Sequence, residues 1–359
     1  MSTYNKIPFD ANAAATKDSG IFGLPFTVEE SKLILIPVPW EATASYGSGT
    51  FQAPQAILAA SKQVDLYDHD LGNFFEQGIA MLENPLQIEA WNKKARRTAL
   101  KIISGTYENK NDMDAALATV NQYSEKLNNY VYNETKKWLL QDKLVGLVGG
   151  DHSTPFGAIQ AFLEKYPRMS ILHIDAHADA RKAYEGFEYS HASIMYNVIS
   201  KTPLKKLVQV GIRDFCEEEI KFIQTNTSRI HTFFDSYLAE QKMFGKPWSL
   251  LCDEMIQHLE SEVYISFDID GLDPRFCPHT GTPVPGGLDF NEALYLFKKI
   301  AQSKRKIIGF DLNEVSLGMS KLNDASVVDP ASEWDANVAA RLLYKLCGWT
   351  FNLERQNYV

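Results

Sequence analysis

The sequence predicts an α/β fold: a central, mostly parallel sheet with helices on both faces, making three layers. Three observations predict it. Strand-like apolar runs alternate with helix-like segments from Leu144 onward, the pattern of parallel strands joined by crossover helices. Runs such as Lys32 to Pro39 (KLILIPVP) are apolar almost without interruption, as strands buried on both faces must be. Three runs end in side chains of metal-ligand type: LVGLVGGDHS (144–153), MSILHIDAHADAR (169–181) and VYISFDIDGLDP (263–274). In open α/β sheets such sites collect at the carboxyl ends of strands, so one edge of the sheet is expected to carry the chemistry.

The elements follow in order. Residues 1–30 are polar and mixed and read as an irregular N-terminal arm. A strand at 32–39 leads into Trp40–Thr50 (WEATASYGSGT), a Gly/Ser/Thr loop placed to overhang the strand ends. Pro54 opens the next helix, in the first turn where its missing N–H does no harm. A strand or hairpin with loops is expected over 63–85. Residues 86–140 form a helical insert in which Leu117, Val120, Tyr123, Leu127, Val131 and Trp138 recur near helical spacing. That aromatic stripe reads as core packing, and Asn109–Asp114 (NKNDMD) as a solvated loop. Then come strand 144–148, a helix near 154–165, strand 170–174, a loop over 181–190 and a helix from 191. Strand 206–212, helix 216–224, strand 229–234, helix 250–260 and strand 262–267 follow. The tight loop Gly281–Gly287 (GTPVPGG), helix 290–302, strand 306–312 and a last helix near 333–346 complete the chain. No repeat and no linker interrupts this order, so residues 1–359 are read as one domain.

With 359 residues, 45% of them hydrophobic and 23% charged, the chain can bury a sizeable core. A net charge of −9 argues against nucleic acid or an acidic membrane surface as partner. No run approaches the length of a membrane span, and the N-terminus lacks the apolar core of a signal peptide. The four cysteines form no Cys-x-x-Cys. A cytoplasmic protein with reduced thiols is the expectation.

The candidate ligands are His152, Asp175, His177, Asp179, Asp268 and Asp270. Asp175, His177 and Asp179 alternate with Ala176 and Ala178, the two-residue period of extended backbone, which sends three ligand-type side chains to one side. Four carboxylates and two imidazoles exceed what one catalytic zinc site uses, and suit two ions with bridging carboxylates. A carboxylate-rich set without thiolate favours manganese, while nickel, cobalt and zinc stay open. Two dications sharing a water bring its pKa towards neutrality and so supply a nucleophile at pH 7. Glu314, at the end of strand 306–312, is placed to take a guanidinium in a bidentate pair. His191, after Tyr189-Ser190, is placed to carry a proton to a leaving amine. Each of these two, taken alone, also reads as structural: a capping carboxylate and a satisfied core histidine.

GGDHS (149–153), DAHAD (175–179), SHAS (190–193), SFDIDGLDP (266–274), GTPVPGG (281–287) and the Glu-Val-Ser after Asn313 resemble, in the same order, the motifs of the ureohydrolases, the family of arginase and agmatinase. The resemblance runs over residues 32–346. It implies an arginase-like three-layer α/β/α fold and a binuclear manganese site, two Mn2+ per subunit. By position, His152, Asp175, Asp179 and Asp268 would hold one ion; Asp175, His177, Asp268 and Asp270 would hold the other. The resemblance further implies a small cationic guanidino substrate cleaved to urea and an amine or ammonia. Asp270, His191 and Glu314 would then be catalytic, His191 moving protons and Glu314 gripping the guanidinium. Homotrimers or homohexamers are implied as well.

Within that family the chain looks agmatinase-like. After Gly211-Ile212-Arg213-Asp214 stand Phe215 and Cys216, where arginases place an acid for the substrate's α-amino group. The loop ARKAYEGFEYSHAS (180–193) is similar to agmatinase-type sequences. Agmatine therefore leads as substrate, guanidinobutyrate and free guanidine follow, and arginine and formiminoglutamate rank below them. The 86–140 insert and the tail around Ser332–Asn337 depart from compact agmatinases. Trp334 or Tyr184 is thus a candidate wall that would shrink the pocket to guanidine alone. Two other classes stay open: a catalytically silent metal-binding protein and a one-metal, deacetylase-like hydrolase. The complete ligand set, with His191 and Glu314, disfavours both.

Overall fold

Side-chain alternation along the first strand already divides the molecule into layers. In β1 (Leu33–Val38), Leu33 and Leu35 enter one apolar core while Ile34, Ile36 and Val38 enter another on the opposite face. The same division recurs in β7 (Glu262–Asp268), where Val263, Ile265 and Phe267 point one way and Tyr264 the other. A sheet apolar on both faces has to be covered on both. The computed structural model describes residues 9–16, 18–317 and 332–352, so the expected N-terminal arm lies partly outside the described residues.

Between these two strands in sequence come β2 (Ile79–Met81), β3 (Leu144–Gly149), β4 (Ser170–Ile174), β5 (Leu207–Ile212) and β6 (Ile230–Phe234); β8 (Lys306–Asn313) comes last. The eight strands pair in the order β2-β1-β3-β8-β7-β4-β5-β6, every pair parallel. One face is covered by α1 (Ala53–Ser61) and four helices from later in the chain. The other carries α2 (Leu86–Ile103), α3 (Lys110–Leu139), α4 (Phe156–Lys165), α5 (Ile194–Lys201) and α6 (Glu217–Thr225). The four that join α1 are α7 (Asp235–Met243), through Leu238, α8 (Trp248–Ile256), α9 (Phe290–Gln302) and α10 (Ser332–Thr350). The α/β fold class and its mostly parallel three-layer arrangement are borne out.

One local expectation is corrected and two segments gain detail. Asn109–Asp114 is not a loop: α3 starts at Lys110, because the Asn109 side chain accepts the Asp112 N–H at 2.8 Å and caps the helix. The strand expected within 63–85 is β2, with a short 3-10 helix at Phe74–Gln77 and an antiparallel bridge between Asp68 and Gly72 before it. Helix α7 had no counterpart in the sequence reading; its buried contact is the single Leu238, too little for a helical period to show. The four cysteines are free, as expected. Among the described residues no helix is long and apolar enough to cross a membrane.

The 86–140 insert is the α2–α3 pair, and α3 packs closely against α4. Gly157 on α4 makes that approach: a β carbon there would stand 2.1 Å from the Asn128 carbonyl oxygen and 2.8 Å from the Tyr132 nitrogen. Both obstacles are backbone and neither side can yield cheaply. Gly157→Ala is therefore expected to destabilise the protein by about 1–3 kcal/mol; chemical denaturation with an unchanged midpoint would contradict this packing.

Candidate metal centre

Parallel pairing brings every strand end of one sense to the same edge, and the sheet order makes four of them neighbours: β3, β8, β7 and β4. At or just beyond these ends lie His152, Glu314, Asp268 with Asp270, and the run Asp175–Asp179. His152 is at the centre. Its Nδ1 lies 3.0 Å from Asp175 Oδ2, 3.2 Å from Asp268 Oδ2 and 3.3 Å from Asp179 Oδ2. Its Nε2 is 2.9 Å from Ser266 Oγ, whose hydroxyl is in turn 3.0 Å from Asp311 Oδ1. His177 Nδ1 lies 3.0 Å from Asp270 Oδ2 and 3.5 Å from Asp175 Oδ1. The two oxygens of Asp175 thus face the two histidines separately.

The backbone that aims these groups is not the extended run the alternation suggested. Strand β4 ends at Ile174, and Asp179 adopts φ 50°. Asp175 Oδ1 instead accepts the His177 N–H at 2.6 Å, and Asp268 Oδ1 accepts the Asp270 N–H at 2.9 Å. Both Asp-x-x pairs are turns closed by the aspartate on the amide two residues ahead. One oxygen is held by the turn and the other, Oδ2, is directed at His152. Asp270 Oδ1 also accepts the Ala176 N–H at 3.0 Å, tying the two turns together.

Sequence reasoning gave no role to His173, although it opens the motif. It is fully buried, with Nε2 2.8 Å from Asp175 Oδ2. Gln209 fixes its other nitrogen: the Gln209 amide donates to the Ala178 carbonyl and to His173 Nδ1 (2.9 and 3.1 Å) while its oxygen accepts from the Thr232 hydroxyl at 2.9 Å. His173 is therefore a donor towards Asp175. Carrying the two-residue period one step back from Asp175 would have found it. The donor atoms form two overlapping groups with ion-sized spacing, His152/His173/Asp175/Asp179 and Asp175/His177/Asp270. Asp268, expected as a bridge, stands against His152 beside the first group.

Charge is the difficulty here. One Nδ1 proton on His152 cannot serve three buried carboxylates at once, and unpaired buried charge is strongly disfavoured. Burial and the charge of Asp175 push the Asp179 carboxyl up to about 7. Burial, then Asp270 and Asp175, hold Asp268 well above the usual range. Burial works to lower His152, but hydrogen bonds to Asp175, Asp179 and Asp268 raise it well above its ordinary value; His177 is raised against burial by Asp270 and Asp175. An all-N/O donor set with surplus buried negative charge suits divalent cations, which replace several protons at once.

A cavity of about 140 Å³ opens onto His152, His177, Asp179, Asp268 and Asp270. Glu314 and His191 line it too. Glu314 sits at φ 61°, a left-handed conformation that costs a non-glycine residue about 1–3 kcal/mol unless its surroundings hold it. Its N–H donates to the Gly150 carbonyl at 2.9 Å, its carbonyl accepts from the Thr280 hydroxyl at 2.8 Å, and its Oε1 accepts the His152 N–H at 2.8 Å. Burial and the nearby Asp151 charge hold its carboxyl well above the ordinary range. His191 follows the helix-capping Ser190 and meets the Tyr184 ring edge-on at 6.1 Å. Burial, then the charges of His177 and His152, lower it to about 4, so it is a neutral imidazole at pH 7.

The outer wall adds Ser45, Thr282, Asp214 and Phe215, with Arg181 and Glu219 opposite. Arg181 lies over the Tyr184 ring at 4.9 Å with its Nε 3.5 Å from Glu219. Glu219 reaches the cavity from α6, but accepts the Ala180 and Cys216 N–H groups at 3.0 and 2.8 Å and is committed to them. Of the two aromatic walls considered, Tyr184 lines the cavity. Trp334 does not: its indole donates to the Arg275 carbonyl at 3.0 Å, and half of the residue is exposed.

Metal loading should displace the protons that His152, His177 and Asp268, and in part Asp179, carry when no ion is bound, a net release of protons at pH 7 measurable by pH-stat titration. Raised folded values stabilise the metal-free protein below the unfolded histidine range and lose that stabilisation as pH rises. The stripped protein should therefore melt at progressively lower temperature as pH climbs above about 6.5. Loading without proton release would contradict the site.

Residues 31–347 match the sequence profile of the Arginase family. An N(1)-aminopropylagmatine ureohydrolase of Thermus thermophilus is 29% identical over 80% of this chain and 84% of its own length. An agmatinase of Halalkalibacterium halodurans is 26% identical over 89% of this chain and 93% of its own. The solved agmatine ureohydrolase of Thermoplasma volcanium shares the fold, with a TM-score of 0.67 at 23% identity, covering 91% of this chain and 92% of that one. With nearly its whole length inside that profile, and the same fold in its relatives, the chain belongs to the arginase family.

Proposed function

We propose that the protein is a binuclear-metal ureohydrolase that cleaves a guanidino compound to urea and an amine. The observation that carries this reading is the shared cavity: metal-type donors on its floor, a buried carboxylate and a neutral imidazole on its walls. His152, Asp175, Asp179 and Asp268 would hold one ion, and Asp175, His177, Asp268 and Asp270 the other, with His173 orienting Asp175. Manganese suits this carboxylate-rich set best, and nickel is the competitor. When bound, two such ions activate water for attack at neutral pH.

The chain's own residues do the rest. Glu314 resists ionisation because it is buried beside Asp151, so an arriving guanidinium supplies the positive charge its carboxylate lacks. Binding and ionisation are then linked, and a neutral substrate gains nothing from it. His191, neutral at pH 7, can accept a proton near the reacting carbon and give it to the departing amine. Asp214 and Phe215 at the mouth suit an alkylammonium tail, which favours agmatine. Tyr184 on the wall favours the second reading, guanidine itself.

Asp268→Ala should abolish turnover and lower metal content together, whereas Glu314→Gln should keep both ions and lose activity by about 100-fold or more, mainly in kcat/KM. Metal analysis and urea assays on the same samples separate the two. A panel of agmatine, guanidinobutyrate, guanidine and arginine tests the substrate: agmatine is expected to lead. Guanidine turnover alone would select the second reading, and no urea from any of the four would sink both.

A further inference from the structure

Asp335 stands at the start of α10, and its side chain is fully buried. Both of its carboxylate oxygens are engaged by one residue far away in sequence. Oδ1 accepts the His279 backbone N–H at 3.0 Å, and Oδ2 lies 2.9 Å from His279 Nδ1. Its carbonyl also faces the Cys277 thiol at 3.9 Å. A carboxylate buried this deeply needs donors for both oxygens, and the turn around His279 provides them.

The residues after His279 lead into the site. Thr280 is buried, and its hydroxyl donates to the Glu314 carbonyl at 2.8 Å. Gly281 packs so tightly on the loop after β1 that a β carbon on Gly47 would stand 2.5 Å from its Cα; one on Gly281 itself would lie 3.5 Å from Glu314 Oε2. Thr282 lines the cavity. Glu314 keeps its left-handed backbone because two groups hold it, the Gly150 carbonyl on its amide and the Thr280 hydroxyl on its carbonyl.

We propose that Asp335 is a positioning residue for Glu314: by gripping His279 it fixes the Thr280–Thr282 turn, and through Thr280 the backbone of the carboxylate that meets the substrate. The functional half of this rests on the reading of Glu314 as the guanidinium-binding residue; the mechanical half does not. It also gives a purpose to the tail residues 332–337, which the ligand motifs leave unexplained.

The test uses the metal-loaded full chain with Asp335→Ala, Thr280→Val and the double variant. Both single changes should raise KM for agmatine about tenfold while kcat moves less than about threefold and both metal ions stay bound. The double variant should be no worse than the more severe single, as expected for two links of one chain. Asp335→Asn, which keeps the acceptor for the His279 N–H, should recover most of the KM. In hydrogen exchange, a peptide covering 313–316 should lose protection in both single variants. Faster exchange confined to 277–287, or a fall in metal content and kcat at constant KM, would overturn the proposal. Should Asp335→Ala fail to fold, Thr280→Val and Asp335→Asn carry the same test. If the parent protein turns over no guanidino compound, the ureohydrolase reading fails, and the exchange data still decide whether Asp335 positions Glu314.

Discussion

The crowding of buried carboxylates around His152 is the constraint on which the rest of this structure depends. Asp175, Asp179 and Asp268 each place an oxygen within 3.3 Å of one ring nitrogen. Left to themselves such groups repel one another, take up protons and cost the fold stability. They are tolerable only where positive charge is delivered into their midst, and a divalent cation would do so with few atoms. On the proposed reading the site would be costly as bare protein and favourable once loaded, coupling metal binding to folding.

Holding that crowd in place is the work of the layers beneath it. The turns closed by Asp175 and Asp268 commit one oxygen of each to the backbone and leave the other facing inward. Behind His152, Ser266 and Asp311 occupy the far ring nitrogen, and Asn313 accepts from Thr154 at 2.8 Å. Behind Asp175, the chain Thr232–Gln209–His173 orients a donor from the edge of the sheet. Outer-row partners of this kind decide which tautomer and which oxygen a ligand offers. They are also why four central strands, and not loops alone, carry the chemistry.

The substrate side is built differently. Its walls come from loops that cross the strand ends, and their contacts are between backbone atoms: glycine against glycine where Gly47 meets Gly281, and a carbonyl held at each side of Glu314. The cation Arg181 is stacked on Tyr184 and paired with Glu219, while Asp214 at the mouth has its Oδ2 3.9 Å from His177 Nε2. A donor-lined floor set by strand ends and a wall that depends on loop placement would, on the proposed reading, let one fold receive different tails on the same guanidinium head.

Much of this was legible in the chain before any coordinates. Apolar runs without interruption are what strands buried on two faces require, and ligand residues at the ends of three such runs marked the edge where they would meet. His152, the 175–179 run, Asp268, Asp270, Glu314 and His191 could be named because their residue types and spacings are local. What the pattern missed was of two kinds, local side-chain caps and turns, and contacts set by groups distant in sequence. Asn109 made a helix where charge suggested a loop, through one side-chain hydrogen bond. The 175–179 run turned on its own carboxylate instead of continuing the strand. Trp334, proposed as a wall, faces Arg275, while Glu219 reaches the cavity from a helix whose own sequence shows no sign of it. The sequence alone therefore determined which strands form and which candidate donor side chains stand at their ends. The tertiary structure decided which oxygen faces which nitrogen, and which loops close over them, because burial and hydrogen bonding among residues far apart in the chain exist only once the sheet has assembled.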